Sequence, residues 1–118
     1  MIILSDILTL FIALLHINFL ILEMFYWDKP FGLRLFGHSK EVAEHSKVLA
    51  MNMGLYNGFL AAGLLWGLAL GTNGDAIKLF FLGCVFIAGI FGGITAASKI
   101  FYIQALPAAL AFVIVLLT

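Results

Sequence analysis

The chain has 118 residues, of which 64% are hydrophobic and 10% are charged, and its mean hydropathy is +1.19. These values exclude an ordinary soluble domain of this size. The net charge of zero argues against a nucleic-acid partner, which would require a basic surface. A spanning helix needs about 20 residues, so four spans fit. We predict an all-α membrane protein, a compact four-transmembrane-helix bundle forming a single domain in the lipid bilayer. Its spans are expected at about residues 3–27, 48–71, 76–97 and 102–118.

The first apolar run carries polar side chains at helical spacing. Steps of three and four residues connect one stripe: Asp6, Thr9, Ala13, His16, Leu20, Glu23 and Trp27. The neighbouring positions Leu10, Leu14, Ile17 and Ile21 are purely apolar. Polar groups are costly in hydrocarbon and face the protein interior when they occur in spans. We therefore expect the stripe to face inward and the apolar flank to face lipid.

The segment 28–47 is the one substantial loop, and it holds most of the charge. Ser39 is a plausible N-cap of the second helix, with Glu41 and Glu44 favourable in its first turns. The lysines and arginine of this loop, together with Lys99 of the third connection, outnumber Lys78 near the second. By the positive-inside rule both termini lie outside the cell membrane.

The second span contains a series of glycines at four-residue spacing, which lets helix backbones approach closely in membranes. The predicted helix-packing residues are Gly54, Gly58, Gly63 and Gly67 here, and Gly89 and Gly93 in the third span. Asn52 and Tyr56 lie one turn apart, whereas Asn57 points in a neighbouring direction. Interhelical hydrogen bonding and ligand binding are both consistent with these asparagines.

A tight connection joins the third and fourth predicted helices. Thr95 lies near the end of the third span, and Gln104 lies near the start of the fourth. Pro107 falls in or near the first turn of the fourth helix, where a missing N–H costs little. Cys84 lies in an apolar run and is expected to be a packing residue.

Four phrases of the sequence resemble a known family when they are read together. They are H-x-x-F-x-x-x-E-M-F-Y-W, N-x-G-L-Y-N-G-F-L-A-A-G-L, A-G-I-F-G-G-I-T and Q-A-L-P-A-x-x-A. In this order they resemble the small bacterial integral membrane family labelled domain of unknown function 1304. That family is distantly similar to the group including DoxX and DoxD, some of which are linked to quinone or thiol redox systems. The resemblance implies a four-helix protein of the bacterial cytoplasmic membrane, and it implies no activity or cofactor.

Depth in the membrane can be estimated by counting residues along each helix from the membrane face that carries the 28–47 loop. By this count all four predicted helices have polar side chains at similar depth. We predict a polar ligand-binding cavity there, lined by His16, Glu23, Asn52, Tyr56, Asn57, Thr95 and Gln104. His16 and Glu23 are about 10 Å apart along their helix and cannot chelate one ion alone, so no metal site is predicted.

Three functions remain open from the sequence. The first is a carrier or channel for a small solute or ion, with Glu23 as the coupling carboxylate and the glycine-rich faces forming a homodimer. The second is a module that binds a lipid or quinone as a redox accessory or enzyme. The third is a structural subunit in which the polar layer joins helices. Patterns typical of hydrolases and nucleotide enzymes do not occur in the sequence.

Overall fold

The computed structural model describes residues 2–118, which are helical through most of their length. The α-helices are α1 (Ile2–Phe25), α2 (Pro30–Phe36), α3 (Lys40–Ala69), α4 (Asp75–Thr95) and α5 (Leu106–Leu117). A 3-10 turn, Gly71–Gly74, precedes α4, and a π-helical turn, Phe101–Ala105, leads into α5. The all-α prediction is therefore confirmed. The four-transmembrane-helix bundle stays a prediction, since the described part of the chain has five α-helices, of which three lie in segments long and apolar enough to cross a membrane.

The additional helix, α2, lies within the segment that the sequence analysis treated as a loop. Its boundaries follow from local chemistry, because Pro30 occupies the first turn and Gly37 ends the helix in the left-handed conformation at φ 69°. Gly32 is required by a close approach, since a Cβ there would overlap the carbonyl oxygen of Tyr26. A turn that tight leaves no room for a side chain.

Three helical segments are long and apolar enough to cross a membrane: Ile2–Phe25, Lys40–Ala69 and Gly71–Thr95. A shorter apolar helical segment, Phe101–Leu117, follows them. As predicted, α3 begins directly after Ser39, whose hydroxyl accepts a hydrogen bond from the Val42 N–H at 3.2 Å. Pro107 lies in the first turn of α5, also as predicted.

The chain forms two compact units. The first comprises the chain up to Leu14 together with Leu60–Thr118. Its core contains buried side chains from α1, α3, α4 and α5: Ile12, Ala13, Leu64, Leu82, Val85, Ala108, Ala111 and Val115. Alanine and glycine positions bring these helices close together. Gly89 of α4 shows this best, because a Cβ there would lie 2.5 Å from the backbone nitrogen of Ala105.

The second unit comprises Leu15–Phe59. In it, the end of α1 packs against the first half of α3 through Gly54 and Gly58. A Cβ at Gly58 would lie 2.6 Å from Leu20 Cδ1, and one at Gly54 would lie 2.7 Å from Met24 Cγ. These contacts show that small residues set the helix separation within this unit.

Four of the seven residues in the predicted stripe of α1 are buried, and Asp6, Leu20 and Trp27 are half-buried. Thr9, Ala13, His16 and Glu23 are buried, with exposed fractions of 9% or less. On the flanking face, Leu10, Leu14 and Ile21 are 40–54% exposed, and Ile17 is half-buried. The two faces of α1 therefore differ in burial in the way that a lipid-facing flank and a protein-facing stripe require.

Candidate functional site

The second unit holds a buried carboxylate in the apolar part of α1. Glu23 is 9% exposed, and its Oε1 accepts a hydrogen bond of 2.5 Å from Nδ2 of Asn57 on α3. Gly54, one turn before Asn57, makes this approach possible, because a Cβ at Gly54 would lie only 3.2 Å from Glu23 Cβ. The pair therefore depends on a glycine that admits the glutamate stem.

His16 is fully buried two turns before Glu23 on the same helix. Its ring meets that of Phe19 edge to face, with centroids 5.3 Å apart. The rise of an α-helix separates positions 16 and 23 by about 10 Å along the axis. Within residues 2–118 no group of three or more His, Cys, Asp or Glu side chains is arranged to hold a metal ion.

Two other residues of the predicted cavity lie on the exposed side of α3. Tyr56 is 57% exposed and its ring packs beside that of Phe59. The exposed Asn52 donates from Nδ2 to the Val48 carbonyl of its own helix at 2.9 Å. Neither contact involves the Glu23–Asn57 pair.

The remaining two predicted residues belong to the first unit. Thr95 is exposed, and its hydroxyl donates to the Phe91 carbonyl of its own helix at 2.7 Å. Gln104 is half-buried in the π-helical turn. The shared cavity of seven residues therefore stays a prediction, and the Glu23–Asn57 pair is its structurally defined part.

The six predicted packing glycines all lie against neighbouring side chains or backbone. Gly54 and Gly58 approach α1 in the second unit, as described above. In the first unit, a Cβ at Gly63 would overlap the ring of Phe81, and one at Gly93 would overlap the ring of Phe101. Gly67 lies against the stem of Lys78, at 2.7 Å from a built Cβ to Lys78 Cγ, and Gly89 lies against Ala105.

A second polar cluster, which the sequence analysis did not predict, lies at the start of α4 in the first unit. Lys78 is buried, and its Nζ lies 3.4 Å from Asp6 Oδ1 and 3.2 Å from Asp75 Oδ1. Asp75 and Lys78 are three residues apart on one helix, a spacing that favours such pairs. The sequence could therefore have indicated the Asp75–Lys78 pair. It gave no such indication for Asp6, which is 72 residues away from Lys78 in the chain.

Aromatic and charged side chains fix the loop between α1 and α3. Trp27 donates from Nε1 to Ser46 Oγ at 3.0 Å and packs against the rings of Phe36 and His38. Lys47 Nζ lies 3.1 Å from Asp28 Oδ2. A hydrogen bond from Lys47 lowers the pKa of Asp28 below its ordinary value. These contacts anchor α2 between the two long helices of its unit.

Comparison with known proteins identifies a family for this chain, and the descriptions of the matches state no function. Residues 10–116 match the family model described as "Protein of unknown function (DUF1304)". The chain is also 31% identical over 115 residues to the uncharacterized protein YpaA of Lactococcus lactis subsp. lactis (strain IL1403). That similarity covers 96% of this chain and 97% of the relative. No solved structure matches the chain.

Proposed function

Since the chain belongs to the DUF1304 family, whose description assigns no activity, we propose a function from its own residues. We propose a four-span protein of the bacterial cytoplasmic membrane that binds or moves a small molecule, lipid or ion at Glu23. Three helices of sufficient length and apolarity support the membrane assignment. The excess of lysine and arginine in the first and third connections supports placing both termini outside.

The fourth span is the segment Phe101–Leu117. At about 1.5 Å per residue its 17 residues extend about 26 Å, close to the thickness of a thin bilayer core. Its faces are differentiated: Ala108, Ala111 and Val115 are buried, whereas Leu106, Leu110 and Val113 are exposed. An exposed row of large apolar side chains beside a buried row of small ones is the pattern expected of a helix between protein and lipid.

The buried carboxylate of Glu23 is the observation that carries the binding proposal. An ionised carboxylate has about four lone-pair sites for hydrogen bonds, and Asn57 fills one of them with a neutral amide. Glu23 takes part in none of the ion pairs formed within residues 2–118. A buried carboxylate of this kind can accept a proton, a cation or an ammonium group.

The same hydrogen bond supports a second candidate, a structural subunit. The Asn57 amide joins α3 to α1, and interhelical hydrogen bonds of this type hold membrane helices together. On this alternative Glu23 acts as an acceptor within the protein and binds no external ligand. The two candidates differ in what Glu23→Gln should do, because glutamine still offers an acceptor oxygen to Asn57 but lacks the negative charge.

The test compares wild type, Glu23→Gln and the control Glu44→Gln, which alters an exposed glutamate of α3. Native mass spectrometry of protein released from bacterial membranes measures co-purifying molecules. Proteoliposomes with an internal pH dye and an imposed potassium diffusion potential measure proton and cation flux. We expect an adduct or a flux in wild type and Glu44→Gln that Glu23→Gln loses while keeping its melting temperature. If all three proteins gave identical adducts and flux, the binding proposal would be refuted, and the structural role of Glu23 would be the remaining candidate.

A further inference from the structure

The first unit contains a cavity of about 140 Å³ at the ends of two of the long helices. It is lined by residues of the first turns of α1 and α4, the turn between α3 and α4, and Thr118. The lining includes the polar residues Ser5, Asp6, Thr72, Asp75 and Lys78. None of them belongs to the proposed Glu23 site, so this cavity is a separate feature of the molecule.

The charged side chains that line the cavity among residues 2–118 are two aspartates and one lysine. Lys78 carries the positive charge and is 4% exposed, while its partners Asp6 and Asp75 are 48% and 38% exposed. The three side chains sum to one negative charge when all are ionised. Each aspartate uses Oδ1 towards Lys78, which leaves Oδ2 as an acceptor. The arrangement therefore favours a ligand that brings a positive charge and hydrogen-bond donors.

Ser5 contributes a further polar group to the wall of the cavity. It lines the cavity and is 2% exposed, and its hydroxyl takes part in none of the side-chain hydrogen bonds formed within residues 2–118. Buried hydroxyls normally have a partner, because an unsatisfied one is costly. A ligand in the cavity would supply that partner.

The position of the cavity along the helices indicates the depth in the bilayer at which such a ligand would bind. Asp75 is the first residue of α4, and Asp6 lies four residues after the first residue of α1, about 6 Å along the axis. Both helices are candidate spans. The ends of spans lie among lipid headgroups, so the cavity opens where headgroups and small solutes are both present.

We propose that this cavity binds a primary ammonium group, as found in the ethanolamine headgroup of a phospholipid or in a free phosphorylated amine. The ammonium donates to Asp6 and Asp75, and the Ser5 hydroxyl accepts from it. Lys78 has three N–H donors, one of which donates to Asp6 Oδ1, and an N–H that the aspartates do not occupy donates to a phosphate oxygen of the ligand. A quaternary ammonium such as choline has no N–H donors and lacks these hydrogen bonds.

The test measures binding of phosphatidylethanolamine and of phosphatidylcholine with identical acyl chains to the purified protein in detergent, by native mass spectrometry. Wild type is expected to bind phosphatidylethanolamine more tightly than phosphatidylcholine. Asp6→Asn removes one charge-assisted hydrogen bond and should weaken phosphatidylethanolamine binding about 10- to 100-fold. Asp28→Asn is the matched control, because it removes the charge of another aspartate paired with a lysine, Lys47, and it should leave the preference intact.

A second variant and a displacement measurement complete the test. Ser5→Ala removes only the hydroxyl and should reduce the preference several-fold, which gives a reading if Asp6→Asn does not fold. Displacement of the lipid by O-phosphoethanolamine would show a free amine as ligand, and failure to displace it would show the lipid form. Equal binding of the two lipids by wild type, or an unchanged preference in both Asp6→Asn and Ser5→Ala, would overturn the proposal.

Discussion

Replacing Gly89 by alanine tests whether backbone contact between α4 and the segment before α5 sets the packing of the first unit. A Cβ at this position would lie 2.5 Å from the nitrogen, 2.8 Å from Cα and 2.9 Å from Cβ of Ala105. The shortest of these distances is about 0.9 Å below the 3.4 Å at which ordinary van der Waals contact begins. Because the obstructing atoms include backbone, α4 and this segment must separate to accommodate the methyl group.

The expected cost follows from two opposing terms. Alanine is favoured over glycine in a helix by up to about 1 kcal/mol, whereas overpacking a close contact costs about 1–3 kcal/mol. The lost contacts of the displaced segment add to the second term, so we expect a net destabilisation of about 1–2 kcal/mol. Gly83 on the same helix is the matched control, since a Cβ there would meet only Phe112 Cε2, at 3.9 Å.

Unfolding of both variants in mixed micelles, followed by circular dichroism as the denaturing detergent is increased, measures the free energy of unfolding. Gly83→Ala should be neutral or slightly stabilising, because it gains helix propensity without a clash. Gly89→Ala should unfold at a lower detergent fraction than wild type. If the two variants unfolded together, the close approach of α4 to Ala105 would not be a determinant of stability, and the reasoning from the glycine contact would be refuted.

Two further predictions concern the loop and the topology. The Lys47 contact lowers the pKa of Asp28 from 3.8, so the pair stabilises the loop above that pH and is lost as pH falls through the lower folded value. The acid-induced fall in melting temperature should therefore be smaller in Asp28→Asn, and an equal fall would contradict it. In a Cys84→Ala background, an impermeant maleimide added to intact cells should label Asn73→Cys but not Ser39→Cys; the reverse pattern would invert the proposed topology.

The sequence was sufficient to predict the orientation of α1, because an inward stripe and an apolar flank differ in composition at each turn. It was not sufficient to predict α2, since seven residues give too little periodicity to distinguish a helix from a loop. The available signal was Pro30 at its start and Gly37 just beyond its end, the usual asymmetry of helix boundaries.

The sequence analysis named Asn52, Tyr56 and Asn57 as cavity residues of α3 without assigning one of them to Glu23, and the glycines of α3 indicate which one approaches α1. At about 100° per residue, Gly54, Asn57 and Gly58 share one face of α3, and Asn52 and Tyr56 lie on the opposite side. Because glycines mark the face that approaches a neighbouring helix, the amide on that face is the one that reaches α1. The prediction used depth in the membrane and gave too little weight to direction around the helix.

The Lys78 cluster shows what sequence alone does not contain. Asp6 and Lys78 are far apart in the chain, and their pairing depends on how α1 and α4 pack in the first unit. A buried lysine within an apolar helix is costly unless it is paired, so Lys78 required a partner, but several carboxylates were available. Tertiary packing selected Asp6 in addition to the local partner Asp75.

The two polar features share a structural cause, which connects packing with chemistry in this protein. In the second unit, the absence of a side chain at Gly54 admits the stem of Glu23, which reaches Asn57. In the first unit, Gly67 lies against the stem of Lys78, whose ammonium group reaches Asp6 and Asp75. In each case a glycine of α3 gives a long ionisable side chain space between apolar helices. The glycine spacing therefore does more than bring backbones together, because it also determines where charged groups can be held.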